Sequence, residues 1–173
     1  VPVAEALEVE TGQDHYWMSY ALELARRAGV AGEVPVGAVL VRAGEIIGEG
    51  WNQSISACDP TAHAEALALR AAAIRVGNYR LAASTLYATL EPCPMCAGAM
   101  IHARVARLVF GATDPRAGAA GSVFNLLQTD VLNHRVQIVS GVLAGDCGAL
   151  LRDFFRARRG KPAVGVESLL SAG

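Results

Sequence analysis

From Asp14 onward, apolar residues recur at three- and four-residue spacing: Trp17, Tyr20, Ala21, Leu24 and Ala28. That period predicts an amphipathic helix, capped by Asp14 and ended by Gly29 and Gly32. The period then changes. Val36 to Val41 is a short apolar run, and a second begins at Ile46-Ile47 after the turn Ala43-Gly44-Glu45, which reads as a β-hairpin. Trp51 to Thr61 is a polar loop. A helix rich in Ala and Leu follows over 62–76, with Asp59 or Thr61 as its cap, and Gly77-Asn78 ends it. Thr85 to Leu90 alternates as a strand does, and Pro94 opens a helix over 94–103, where its missing N–H would be unpaired in any case. Arg107 to Phe110 is a further strand, 111–121 a loop rich in Gly and Ala, and Val136 to Val139 a short strand. Ala144 to Arg158 is an amphipathic helix with Leu150, Leu151, Phe154 and Phe155 on one side. Residues 1–12 read as a flexible leader and 161–173 as a frayed tail. The order αββαβαβ(α)βα predicts one α/β domain in three α/β/α layers, a mixed five-stranded sheet with helices on both faces.

Composition agrees with that reading. A chain of 173 residues, 53% of them hydrophobic, is long enough to bury one substantial core. No apolar run approaches the roughly eighteen residues of a membrane span, so no membrane partner is expected. Val1 to Glu10 carries three Glu and no basic residue, the wrong charge for a signal peptide. Four Cys do not make a disulfide scaffold at this length, and thiolate ligands are easiest to keep reduced in the cytoplasm, which is the expected location. The net charge of −1 argues against a nucleic-acid binder, but its distribution is uneven. Glu5, Glu8, Glu10 and Asp14 make the start acidic, while Arg152, Arg156, Arg158, Arg159 and Lys161 make the end basic. Two readings of the basic cluster stand side by side: a phosphate-recruiting patch, or a solvated helix end that suits the dipole.

The candidate chemistry lies in His63-Ala64-Glu65 and Pro92-Cys93-Pro94-Met95-Cys96. These offer one imidazole, two thiolates and a spare carboxylate. Three N/S ligands suit zinc and leave a fourth tetrahedral position open, the mark of a catalytic rather than a structural site. Glu65 is near enough to share the pocket and is not needed on the metal, so it can carry protons. A bare C-x-x-C also occurs in redox motifs and zinc ribbons, but H-x-E upstream and Pro directly before the first Cys make the pattern specific for zinc nucleobase and nucleoside deaminases.

The words around these residues extend the match. They are EVPVGAVL at Glu33–Leu40, GWN at Gly50–Asn52, DPTAHAE at Asp59–Glu65, NYRL at Asn78–Leu81 and TLYATLEPCPMCAGAMIH at Thr85–His102. VFGA at Val109–Ala112, GAAGS at Gly118–Ser122, NHRV at Asn133–Val136 and the segment Leu150–Arg159 continue it. Over roughly 14–160 the sequence resembles the bacterial tRNA-specific adenosine deaminases of the cytidine-deaminase-like superfamily. The resemblance implies hydrolytic conversion of adenosine to inosine at the wobble position of tRNA, by zinc-activated water attacking adenine C6. It implies His63, Cys93 and Cys96 as ligands of one Zn2+ and Glu65 as proton shuttle. It further implies Asn52 as the amide that grips the flipped nucleoside, and Glu33, Val34 and Pro35 as a wall of the base pocket. The partners it implies are a tRNA anticodon stem-loop, contacted by Arg156, Arg158 and Arg159, and a second copy of the chain in a homodimer. Pro94 departs from the family pattern between the thiolates, where its ring suits a helix start.

Other residues keep two readings. Cys58 or Cys147 could close the zinc site as a fourth ligand, but the expectation is two buried free thiols. His102 is expected to pack or cap. His134 and Arg135 serve either RNA or structure; Trp17 and Trp51 are expected in the core. Asp114 either accepts a hydrogen bond from a ribose 2′-hydroxyl or closes an Asp-Pro turn or an ion pair with Arg116. Two other functions remain: a free base or nucleoside deaminase (guanine or cytosine type), and a non-catalytic zinc-stabilised RNA-binding module, for which Glu65 would be idle.

Overall fold

The computed structural model describes residues 3–159, with side chains from residue 12 onward. Helix α1 (Val3–Val30) leads into the hairpin β1 (Gly37–Arg42) and β2 (Glu45–Trp51); α2 (Ala64–Val76), β3 (Thr85–Leu90), α3 (Pro94–Ala103), β4 (Arg107–Ala112), β5 (Gln137–Ser140) and α4 (Ala144–Arg159) follow. The sheet order is β2-β1-β3-β4-β5. β1 is antiparallel to β2 and β3, whereas β3, β4 and β5 run parallel.

Strand alternation divides the core into two layers. Ala38, Leu40, Leu86, Ala88, Leu108 and Phe110 face Ala64, Ala68, Ala72, Cys96, Ala97 and Met100 of α2 and α3. The intervening Val39, Val41, Tyr87 and Val109 pack against Met18, Ala21, Leu22 and Leu24 of α1 and Cys147 of α4. Period-two side chains on a two-sided sheet produce this split directly. Gly48 and Gly50 let α2 lie flat on β2, since a Cβ at either would collide with backbone of Ala64 or Ala68. The turn Ala43-Gly44 has positive φ at both residues (52° and 77°), as a tight two-residue hairpin requires.

The expected elements are present, with three corrections. Asp14 is not a cap. The helix starts at Val3, upstream of the expected boundary and within the expected leader, because Ala4 to Glu10 holds mostly good helix formers. Asp14 is mid-helix and buried; it takes two bonds from Arg107 (2.8 and 2.7 Å) and one from the Tyr87 hydroxyl (3.0 Å). Second, neither Asp59 nor Thr61 caps α2. Asp59 Oδ1 instead binds the Thr61 N–H and hydroxyl, closing a local turn. Third, the helix allowed between β4 and β5 does not form, and that stretch holds only the isolated bridge Ala120↔Asn125 among the described residues. The tail 161–173, with Lys161, lies outside the described residues.

Candidate active site and metal centre

One end of the sheet gathers the chemistry. Because β1 runs against its neighbours, the residues before β1, after β2, after β3 and after β4 all meet there. His63 is the N-cap residue of α2 and Cys93 that of α3, with Cys96 in the first turn of α3. Neither cap residue uses its side chain on its own helix, so both are available as ligands. The orphan N–H at the start of α2 is satisfied from outside: Asn52, just past β2, accepts it from Ala64 at 2.9 Å. That bond fixes the carbonyl end of Asn52 and orients its NH2 group as a donor.

His63, Cys93 and Cys96 form a group in which each offers one ligand atom and all three atoms lie within 4.8 Å of one another. His63 Nδ1 is 3.5 Å from Cys93 Sγ and 3.8 Å from Cys96 Sγ. Tetrahedral zinc with ordinary bond lengths would put such N and S atoms ~3.6 Å apart, so the donor set fits the ion in type and in spacing. The hydrogen bond from Cys96, with His63 beside it, holds Cys93 down to about 4 despite burial, and Cys96 is pushed up by that same bond and by burial. The Cys93 contact holds His63 above its usual value against desolvation. A divalent cation would let both sulfurs ionise, aided by the α3 N-terminus. Glu65 is 4% exposed and lies outside the ligand group. Burial, and the negative charge at Cys93, push its carboxyl up to about 7, against the opposing pull of its own N–H, His63 and Cys96. A buried carboxyl beside a three-ligand metal group, and not itself a ligand, is placed to exchange protons with whatever occupies the fourth position.

Comparison with known proteins identifies this arrangement. Residues 11–112 match the cytidine and deoxycytidylate deaminase zinc-binding region. Over 156 residues the chain is 55% identical to the tRNA-specific adenosine deaminase of Haemophilus influenzae, covering 90% of each protein. The chain belongs to the tRNA-specific adenosine deaminase family. The Bacillus subtilis relative of the same name is 46% identical, over 91% of this chain and 98% of the relative. A structure solved in a study of A-to-I editing by tRNA:A34 deaminases at the wobble position superposes with a TM-score of 0.76 at 40% identity, covering 79% of this chain and 99% of that one. A guanine deaminase from Nitrosomonas europaea gives 0.72 at 28% identity, covering 81% and 83%. Zinc is the cofactor of this deaminase, and the His63, Cys93 and Cys96 donors are the set that fits it.

The remaining candidates separate. Glu33 is 2% exposed, and its carboxylate takes the Ile55 and Ser56 N–H groups at 3.1 and 2.7 Å. Burial pushes it upward, but those bonds, the Ser56 hydroxyl and nearby Arg158 outweigh burial and hold it below the usual range. Glu33 therefore braces the loop after Asn52 from behind. Pro35 is buried and Val34 half-buried. Val34 lines a groove of about 630 Å³ with Leu90, the Thr113–Ala117 segment, and Leu151, Arg152, Phe155 and Arg159 of α4. Asp114 lines it too, while its Oδ1 accepts from Arg116 N–H (2.9 Å) and Ala117 N–H (3.3 Å) in a local turn. Arg156 pairs with Asp153 at 3.3 Å, and Arg158 donates to the Gly32 carbonyl at 2.6 Å and stacks over Phe154. Of the three candidate arginines, Arg159 is the one in the groove lining.

Cys58 is exposed, against the expectation of a buried thiol, because it lies in the surface loop before α2, while Cys147 is buried where α4 meets the sheet; neither joins the ligand group. His134 Nε2 bonds the Val105 carbonyl at 2.7 Å, and Arg135 pairs with Asp130. His102 is exposed in the last turn of α3, and Trp17 and Trp51 are half-buried. Sequence reasoning missed Glu91, a buried acid between β3 and Cys93. The sequence carries no local signal for it, because the donors it collects lie 23, 29 and 31 residues downstream.

Proposed function

We propose that this protein deaminates adenosine to inosine at the wobble position of tRNA by zinc-dependent hydrolysis, with release of ammonia. The observation that carries the reading is the three-donor group His63, Cys93 and Cys96 with buried Glu65 beside it, on a chain 55% identical to a tRNA-specific adenosine deaminase. When bound, zinc supplies the Lewis acid that makes a water nucleophilic near neutral pH for attack at adenine C6. Glu65 takes a proton from the attacking water and passes protons to the ring nitrogen and the departing amine. Asn52, held through its carbonyl by Ala64, donates its NH2 to the flipped base. Val34 and Pro35 wall the pocket, and Glu33 keeps the Asn52 loop in register. Arg156 and Arg159 meet anticodon phosphates, Arg158 ties α4 to the turn before β1, and Asp114 offers its second oxygen to a ribose 2′-hydroxyl. The protein works in the cytoplasm as a homodimer, with exposed Met95, Val123 and Phe124 as apolar surface for the second subunit.

The guanine deaminase likeness supports a second reading, a free-base deaminase on the same scaffold. The deciding experiment incubates the protein with an anticodon stem-loop carrying wobble adenosine and, separately, with free guanine and free cytosine. The expected product is inosine in the stem-loop. Base turnover with an unmodified stem-loop would transfer the assignment to the second reading, and no turnover at all would leave the zinc-stabilised binding module.

A further inference from the structure

The stretch from 113 to 136 is long and almost without regular structure, a length at which a connection is ordinarily either functional or disordered. Its first part is nevertheless anchored at one side chain. Glu91 is 2% exposed and collects Asp114 N–H (2.9 Å), Ala120 N–H (3.1 Å), Ser122 N–H (3.0 Å) and the Ser122 hydroxyl. Gly118 passes so close that a Cβ there would run into the Glu91 carboxylate and the Asp114 carbonyl. Backbone bonds complete the unit: Glu91 N–H to Ala112 O at 2.8 Å, and Ala119 N–H to Pro92 O at 2.8 Å. Only an ionised carboxylate accepts from all of these donors, because an amide in its place would turn its own N–H groups on some of them. The anchored loop supplies Thr113 to Ala117 to the groove, opposite Leu151, Arg152, Phe155 and Arg159.

We propose that Glu91 is a positioning residue for substrate docking: it sets the loop 113–122 against α4 and so fixes the width of the groove that receives RNA next to the base pocket. This rests on the tRNA reading above. The metal group hangs on the starts of α2 and α3, which Asn52 and the packed Ala and Met side chains of the core hold, the loop adding the one backbone bond from Ala119 to Pro92. Loosening the loop should therefore act on binding and spare both zinc and the chemical step.

The test compares wild type, Glu91→Gln and Ser122→Ala on the wobble-adenosine stem-loop, with kcat, KM, zinc content and Tm for each. In Glu91→Gln, KM should rise about tenfold or more, equivalent to ~1.4 kcal/mol of binding, with kcat within about threefold. Zinc content should stay at the wild-type level. Ser122→Ala removes a single donor at an exposed position and should raise KM about threefold, a change in keeping with one missing hydrogen bond. An unchanged KM in folded Glu91→Gln, or a fall in kcat and zinc together with KM unchanged, overturns the inference and leaves Glu91 as support for the ligand turn. Should Glu91→Gln fail to fold, Ser122→Ala decides, and a wild-type KM there overturns the inference. Wild type that is inactive on the stem-loop overturns the substrate reading, and this inference with it; failure confined to the variants overturns the inference alone.

Discussion

Buried acids are handled differently at the two ends of the sheet. At the end where β3 and β4 begin, Asp14 is held by the Arg107 guanidinium through both oxygens and by the Tyr87 hydroxyl. At the end where those strands finish lie Glu33, Glu65 and Glu91, none with an ion pair among the described residues. Glu33 and Glu91 are satisfied mainly by backbone N–H groups of the loops they brace, and Glu65 stands beside the ligand atoms with its proton affinity raised. A guanidinium neutralises a carboxylate and holds it in one state, which fastens α1 to the sheet. Glu65 has no such fork of donors on its two oxygens among the described residues, so its carboxyl is not locked into one hydrogen-bonding arrangement. The far end is built to stay fixed, and the near end keeps its acids available for loops and chemistry.

The largest expected effect sharpens this contrast at Glu65. Glu65→Gln keeps the shape and removes the base, so zinc content and stem-loop affinity should hold while kcat falls about 10²- to 10⁴-fold. Near-normal turnover would place the shuttle elsewhere. Next comes the far end. Arg107→Ala strands Asp14 in the core and should lower stability by ~3–5 kcal/mol. Asp14→Asn with Arg107→Leu should recover part of it, read by urea denaturation at one pH. If Arg107→Ala costs as little as a surface pair, the two ends do not differ as described.

A third test asks whether the cations at the near end face outward. Replacing Arg156, Arg158 and Arg159 together should weaken stem-loop binding and flatten the plot of log affinity against log salt by about 0.7–0.9 for each phosphate no longer neutralised. Arg158 already serves Gly32, so the slope should change by less than three such phosphates would give. A smaller effect concerns pH. Glu33 is depressed in the fold, so its stabilising contribution is complete above its unfolded value near 4.5 and is lost as pH falls through the lower folded value. Glu33→Gln should be less stable than wild type at neutral pH, with the gap narrowing in acid; thermal melts across that range report it. The smallest effect belongs to Asp114, a half-buried acid in the groove lining at the active end. Asp114→Asn removes repulsion and keeps an acceptor, so the ratio of deamination rates on RNA and matching DNA stem-loops should narrow. An unchanged ratio leaves Asp114 as a turn residue.

Much of this was legible in the chain itself. The three-layer α/β class followed from hydrophobic period, because a strand buried on both faces and an amphipathic helix leave different spacings. His63, Cys93 and Cys96, with Glu65 beside them, were legible as candidates because a metal site restricts residue type and local spacing at once, and the helix starts next to His63 and next to the two Cys were marked by the polar loop and by Pro94. Tertiary structure alone decided the rest. Asp14 read as a cap because its partners, Tyr87 and Arg107, are distant in sequence and no local period records such a pairing. Asn52 at the far end of the loop, rather than Asp59 or Thr61 beside the helix, takes the Ala64 N–H of α2, since the β2 end and the α2 start meet only once α2 lies on Gly48 and Gly50. Glu33 and Glu91 carried no local signature, because a buried carboxylate finds its backbone donors through chain crossings that the sheet order creates. Sequence determined which atoms could hold zinc and move a proton; the crossings determined which loops those atoms are held among.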